Sequence, residues 1–243
     1  MADAYTNEIT KLDTTGVIIR TIGGYGWYAE MFDYPADILA TTLHVYVTDK
    51  NNNRIQMFDK DLNFLLDFNT KENEGRGFSF AYPVSCGISN QGDFYILDSD
   101  NLRVIKYDAS GNFITAFGGI DAGDFVLEEP RKLSVSPDGD VFIIDKNEIK
   151  IFDPFGSPLS RISTQFIPEN LNITFNYLVI TSSKSLAFAD LSLPELSLTY
   201  WELPHGLKSE MIIEGALIRN RLYILTLNAI NIYAISRNKQ IGY

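Results

Sequence analysis

Four stretches of this chain superpose on one another: residues 7–24 (NEITKLDTTGVIIRTIGG), 53–70 (NRIQMFDKDLNFLLDFNT), 102–119 (LRVIKYDASGNFITAFGG) and 147–164 (NEIKIFDPFGSPLSRIST). Each reads as a strand, a turn and a second strand. Asp13, Asp59, Asp108 and Asp153 mark the turns, and Gly16, Gly111 and Gly156 follow three residues later; the second copy has Leu62 there. The chemistry of a tight turn explains the recurrence. An aspartate carboxylate accepts from the backbone N–H groups that follow it, and glycine takes the positive φ that reverses a hairpin at little steric cost.

Upstream of three of these hairpins lies a second pair of strands. Pro35, Pro83 and Pro130 open the three sectors, and each is followed by a short apolar strand, a polar turn and an alternating strand at 43–49, 93–98 and 140–145. The turn before the last of these is Pro137-Asp138-Gly139-Asp140, a hairpin signal. A repeating unit of this length, made only of short strands, is what one blade of a β-propeller requires. The expected fold is therefore all-β, a single propeller domain over residues 1–243 with four-stranded antiparallel blades. Pro168 opens a fourth sector with strands at 172–175, 177–182, 185–191 and 196–203. A fifth has strands at 211–218, 221–227 and 228–235 and a tail at 238–243. With the hairpin of 7–24 standing alone at the front, the count favours six sectors, one incomplete, over a five-blade ring. Because an isolated hairpin is marginal in water, strands 7–12 and 17–22 are expected beside residues 208–243, with one blade built from both ends. Leu222, Tyr223, Ile224 and Leu225 should form an inner strand.

The two best copies are Val47-Thr48-Asp49-Lys50-Asn51-Asn52-Asn53-Arg54-Ile55-Gln56-Met57-Phe58-Asp59 and residues 96–108 (ILDSDNLRVIKYD). Their order of strand, Asp, polar turn, Arg and strand resembles the NHL repeat family, clearly over residues 7–164 and by strand rhythm alone afterwards. Asp49 and Arg54, like Asp98 and Arg103, stand five apart across a turn, where carboxylate and guanidinium can pair. In the third sector Glu148 takes the Arg position, so Asp145 must find another partner. The resemblance implies a propeller that binds RNA, binds peptides or proteins, or acts as a lyase or hydrolase with metal-bound histidines or carboxylates.

Charge and residue types weigh these branches. The formal net charge of −11 repels phosphate backbones and anionic membranes, which argues against nucleic acid, and no run of eighteen apolar residues suggests membrane insertion. The N-terminus shows no apolar signal-peptide core. The lone cysteine, Cys86, reads as a buried thiol, His44 as a packing residue within a strand and His205 as a solvent-facing loop residue. Two scattered histidines do not make a zinc centre. Carboxylates that could build an axial site are Asp33, Glu129, Glu169 and Glu210, near the start of sectors. The connection Gly23-Gly24-Tyr25-Gly26-Trp27-Tyr28-Ala29-Glu30-Met31-Phe32 is different in kind: Tyr25, Trp27 and Tyr28 either cover the ends of neighbouring strands or form a recognition surface, for which rigid aromatics supply contact area at low entropic cost. The resulting expectation is a non-catalytic protein-interaction or structural module without a cofactor, bound to a protein partner or to copies of itself. It would serve as a subunit of a larger assembly such as a phage virion or a bacterial surface complex. The rivals are a metal-dependent lactonase-like hydrolase or lyase, and a propeller binding glycans or small ligands. At least three carboxylate or amide side chains converging in the central channel would favour the enzyme.

Overall fold

The computed structural model describes residues 1–13, 15–70 and 78–235. Its strands fall into six antiparallel sheets that follow one another along the chain. The first holds β1 (Ala2–Asp3), β2 (Glu8–Leu12) and β3 (Ile18–Gly23); the second holds β4 (Pro35–Ala40), β5 (His44–Asp49), β6 (Arg54–Asp59) and β7 (Phe64–Asn69). The third is β8 (Pro83–Ile88), β9 (Phe94–Asp98), β10 (Arg103–Tyr107) and β11 (Phe113–Phe117); the fourth is β12 (Pro130–Val135), β13 (Val141–Asp145), β14 (Glu148–Phe152) and β15 (Pro158–Ser163). The fifth is β16 (Asn170–Thr174), β17 (Tyr177–Ser182), β18 (Ser185–Asp190) and β19 (Thr199–Trp201). The sixth is β20 (Ile212–Ile218), β21 (Arg221–Thr226) and β22 (Ile230–Ala234). Strands β4, β8, β12, β16 and β20 touch in succession and line the axis of a six-bladed propeller.

The turns form as their chemistry dictates. Oδ1 of Asp13, Asp59, Asp108 and Asp153 each accepts from the N–H groups two and four residues on, at 2.8–2.9 Å. Gly16, Gly111 and Gly156 have φ of 88°, 81° and 87°. Side-chain hydrogen bonds from Thr15, Asn63 and Asn112, followed by these backbone bonds, hold the carboxyls of Asp13, Asp59 and Asp108 below the usual carboxylate range. Just ahead of each turn the pairing slips by one residue, at Lys11/Leu12, Met57/Phe58, Lys106/Tyr107 and Ile151/Phe152, so the bulge is part of the repeat.

Alternation along the second and third strands of each sheet sends neighbouring side chains to opposite faces. Ile96 packs towards the second sheet and Leu97 towards the fourth; Ile143 and Ile144 divide in the same way between the third and fifth. Five apolar clusters result, each filling the space between consecutive sheets. Among the described residues none of these clusters joins the sixth sheet to the first.

Closure therefore differs from the expectation. The two ends do not pair into one blade: each builds its own three-stranded sheet, and no strand of one pairs with a strand of the other among the described residues. Ala2–Asp3 supplies the third strand at the front, pairing with Glu8 and Ile9. Leu222–Leu225 lie in the central strand β21, as expected. The tail at 238–243 lies outside the described residues.

Candidate interaction face and propeller axis

The carboxylates that end β5, β9 and β13 are buried, and each is the hub of a clamp. Asp49 Oδ2 accepts from Arg54 Nε at 2.8 Å, Asp98 Oδ2 from Arg103 Nε at 3.1 Å and Asp145 Oδ2 from Lys150 Nζ at 2.6 Å. The two expected pairs form, and the partner Asp145 required is Lys150, at the same spacing of five. The other oxygen of each aspartate receives the incoming connection: Asp33 N–H donates to Asp49, Ala81 N–H to Asp98, and the N–H groups of Glu128 and Glu129 to Asp145. The cation then grips carbonyls further back along that connection, those of Tyr28 and Met31 for Arg54, Ser79 for Arg103 and Val126 for Lys150. Burial pushes the Asp98 carboxyl up, against the opposing pull of the Ala81 N–H, Asn101 and Arg103.

In the first clamp this network fixes the aromatic connection. Gln56 donates to the Met31 carbonyl at 2.7 Å and accepts from Glu30 N–H at 3.0 Å, while Asn52 donates to the Gly26 carbonyl at 2.9 Å. Gly24 N–H donates to the Asn7 carbonyl and the Gly24 carbonyl accepts from Phe32 N–H, and Phe32 is buried between the first two sheets. With its backbone held from beneath, the segment points its rings outward: Tyr25, Trp27 and Tyr28 are 68%, 66% and 68% exposed. The rings of Trp27 and Tyr28 lie 5.6 Å apart in a tilted arrangement. All three residues singled out from the sequence thus lie on one short, anchored surface segment.

The axis holds a second polar constellation, which the sequence reading missed. A register shift follows the first residue of β4, β8, β12 and β20, and a bulge of this kind re-aims the side chain beyond it. The residues concerned are Asp37, Ser85, Lys132 and Glu214. Lys132 Nζ lies 2.5 Å from Asp37 Oδ1, and Ser85 donates to Asp37 Oδ2 at 2.5 Å. Asn172 of β16 donates to Glu214 at 3.2 Å. Burial acts to lower the Lys132 pKa, but Asp37 and Glu214 outweigh it and raise the value. The signal was present in the sequence: Asp37, Ser85 and Lys132 each stand two residues after a sector-opening proline.

The carboxylates nominated for an axial site do not converge. Asp33 accepts from Asn51, Glu169 from the Ser183 N–H and Glu210 from Asn228, each within or beside its own sheet. Glu129 contributes its backbone N–H to Asp145. Among the described residues no group of three or more His, Cys, Asp or Glu side chains is placed to hold a metal ion. Cys86 is buried beside Asp37, and burial pushes its thiol up to about 12, so it is no nucleophile at neutral pH. His44 packs edge-on against Tyr46, and His205 is exposed in a connection. Among the described residues no helix is long and apolar enough to cross a membrane.

No family model matches the chain. Over 144 residues it is 27% identical to the protein brain tumor of Drosophila melanogaster, a match that spans 57% of this chain and 13% of that protein. A catalytically inactive virginiamycin B lyase from Staphylococcus aureus, solved with quinupristin, superposes with a TM-score of 0.61 at 14% identity, over 92% of this chain and 71% of that one. YCF48 bound to a peptide superposes with a TM-score of 0.56 at 12% identity, over 86% of this chain and 64% of that one. At these identities the solved structures show a shared propeller fold, occurring both in a lyase and in a peptide-bound protein.

Proposed function

We propose that this chain is a non-catalytic propeller that binds a protein partner through the face carrying its inter-sheet connections, with Tyr25, Trp27 and Tyr28 as the principal contact. The observation that carries this reading is the anchored aromatic segment: three exposed rings on a backbone held by Arg54, Gln56 and Asn52. Exposed aromatics on a mobile loop would lose conformational entropy on docking. Here the fold has already met that cost, which is the condition for an efficient binding hot spot. The similarity to brain tumor and the peptide held by YCF48 are in keeping with such a role. The axis favours it too. Carboxylate and amide groups do approach one another there, as a hydrolase would need, but Lys132 neutralises them from within, leaving a satisfied ionic network instead of open ligand positions.

The test compares the wild-type chain with Trp27→Ser/Tyr28→Ser as baits in quantitative pull-downs from a lysate of the source cells, with light scattering on both proteins. A partner, or a second copy, retained by the wild type and lost from the variant is the expected result. Identical retention by both proteins would remove the aromatic segment as the contact.

A further inference from the structure

Beside the aromatic segment lies a cleft between the edge of the first sheet and the continuation of the same connection, lined by Glu8, Arg20, Thr21, Ala29, Glu30 and Met31. Its charges are unequally committed. Arg20 donates through one guanidinium nitrogen to the Asp61 carbonyl and the Asn63 side chain of the next sheet, so it is turned towards its own fold. Among the described residues the carboxylates of Glu8 and Glu30 take part in no ion pair or side-chain hydrogen bond, although Glu30 is fixed through its backbone N–H to Gln56. Other cations near this face are occupied: Lys11 pairs with Asp61 at 2.7 Å and Lys50 lies 5.2 Å over the Tyr34 ring. The site therefore joins three exposed rings to two uncommitted carboxylates, on a chain whose net charge is −11.

Resting on the reading above, we infer that the partner segment is cationic: a stretch of polypeptide that lays apolar or aromatic side chains on Tyr25, Trp27 and Tyr28 and places a lysine or arginine between Glu8 and Glu30. Aromatic faces attract such a cation as well, and the field of an acidic protein steers it in. A nucleic acid, with like charge, is repelled by the same groups, and an acidic peptide would leave both carboxylates opposed.

The experiment is a selection of phage-displayed random dodecapeptides on the full chain, followed by affinity measurements on the enriched peptides as synthetic probes. The expected pool is rich in Lys or Arg next to apolar or aromatic residues. Its affinity should fall at least about tenfold with Trp27→Ser and several-fold with Glu8→Gln/Glu30→Gln, and weaken with added salt. Thermal midpoints of the variants confirm folding, and Glu30→Lys, which inverts the charge at a half-buried position lining the cleft, should shift the selection towards acidic peptides. A pool that is neutral or acidic on the wild type, or indifferent to both glutamate variants, overturns the cationic partner. If that pool still depends on Trp27, the aromatic contact survives. Loss of both dependences overturns the two readings together.

Discussion

The connections entering the second, third and fourth sheets are each gripped by a buried aspartate paired with a cation, whereas among the described residues no such pair holds those entering the fifth and sixth: Lys184 reaches the Lys208 and Glu210 carbonyls ahead of the sixth sheet without a buried aspartate beside it. Ser182 stands where Asp145 does, pairing with Ser185 as Asp145 pairs with Glu148, and Thr226 pairs with Ile212 as Asp145 pairs with Pro130. Yet the fifth and sixth sheets pack as tightly against each other as earlier neighbours do, with Val179, Leu186, Leu222 and Ile224 all buried between them. The clamps are therefore not what makes sheets stack. Apolar alternation does that, and the clamps determine where the connections run. The proposed contact surface is drawn from the clamped half of the ring.

The sharpest way to break this contrast is to remove one half of a clamp. Arg54→Met leaves Asp49, which is fully buried, as an uncompensated charge. Such a change costs about 3–5 kcal/mol, or on the order of 10 °C in the melting midpoint for a domain of this size. Asp49→Asn/Arg54→Met should recover at least half of the loss, and Ser182→Ala should cost under about 1 kcal/mol. Calorimetry or chemical denaturation checks all three, and equal losses for Arg54→Met and Ser182→Ala would erase the distinction between the two halves.

The ring's seams offer a second test. Strands β9 and β10 are covered on both faces by neighbouring sheets, whereas β22 alternates between exposed and half-buried residues, with Ile230 and Ile232 open. Native-state hydrogen exchange should find the amides of β21 and β22 opening with protection at least about tenfold lower than those of β9 and β10. Uniform protection would mean that the sixth sheet is closed against the first by contacts other than a buried apolar cluster.

The smallest effect concerns the turns. The Asp108 carboxyl is held below its ordinary value by the Asn112 side chain and the backbone N–H groups of Asn112, Ser110 and Gly111. Because its folded pKa lies below the unfolded one, the stabilisation is present above the unfolded pKa and is lost as pH falls through the folded value. Asp108→Asn keeps an accepting oxygen but does not titrate, so the acid limb of its stability curve should move down by about a few tenths of a pH unit. Asp190, in the unclamped half, also accepts from a following N–H, that of Ser192. An unchanged acid limb in Asp108→Asn would show that turn capping there is not charge-assisted.

The features legible in the sequence are those that repeat along one strand or turn. Aspartate, glycine and proline punctuation marks all the sectors but the last, which strand rhythm alone supplies, and the spacing of five points to the Asp49–Arg54 and Asp98–Arg103 pairs. What escaped depends on convergence between sheets. Asp37, Ser85 and Lys132 are single polar residues on short apolar strands, and only the ring brings them together across separations of 48 and 95 residues. Lys150 is masked in the sequence because the shorter turn sets Glu148 opposite Asp145, in the place the arginines hold in the earlier sectors, while Lys150 keeps the spacing of five. The joint blade expected of the two ends does not form, because Ala2–Asp3, a strand too short to carry a periodicity, fills the front sheet.

Leu62 shows how far the copies can be exchanged. It adopts φ of 61° in a turn position where three other copies have glycine, and its side chain is buried in the cluster between the first two sheets. The left-handed backbone costs a non-glycine residue about 1–2 kcal/mol, while burying a leucine is worth about 1.5–3 kcal/mol. The balance favours the side chain. A repeat array whose units were interchangeable could be lengthened, shuffled or circularly permuted by moving whole blades. In this ring the turn of the second blade also plugs the wall of the first, so its blades are matched by position and not only by pattern.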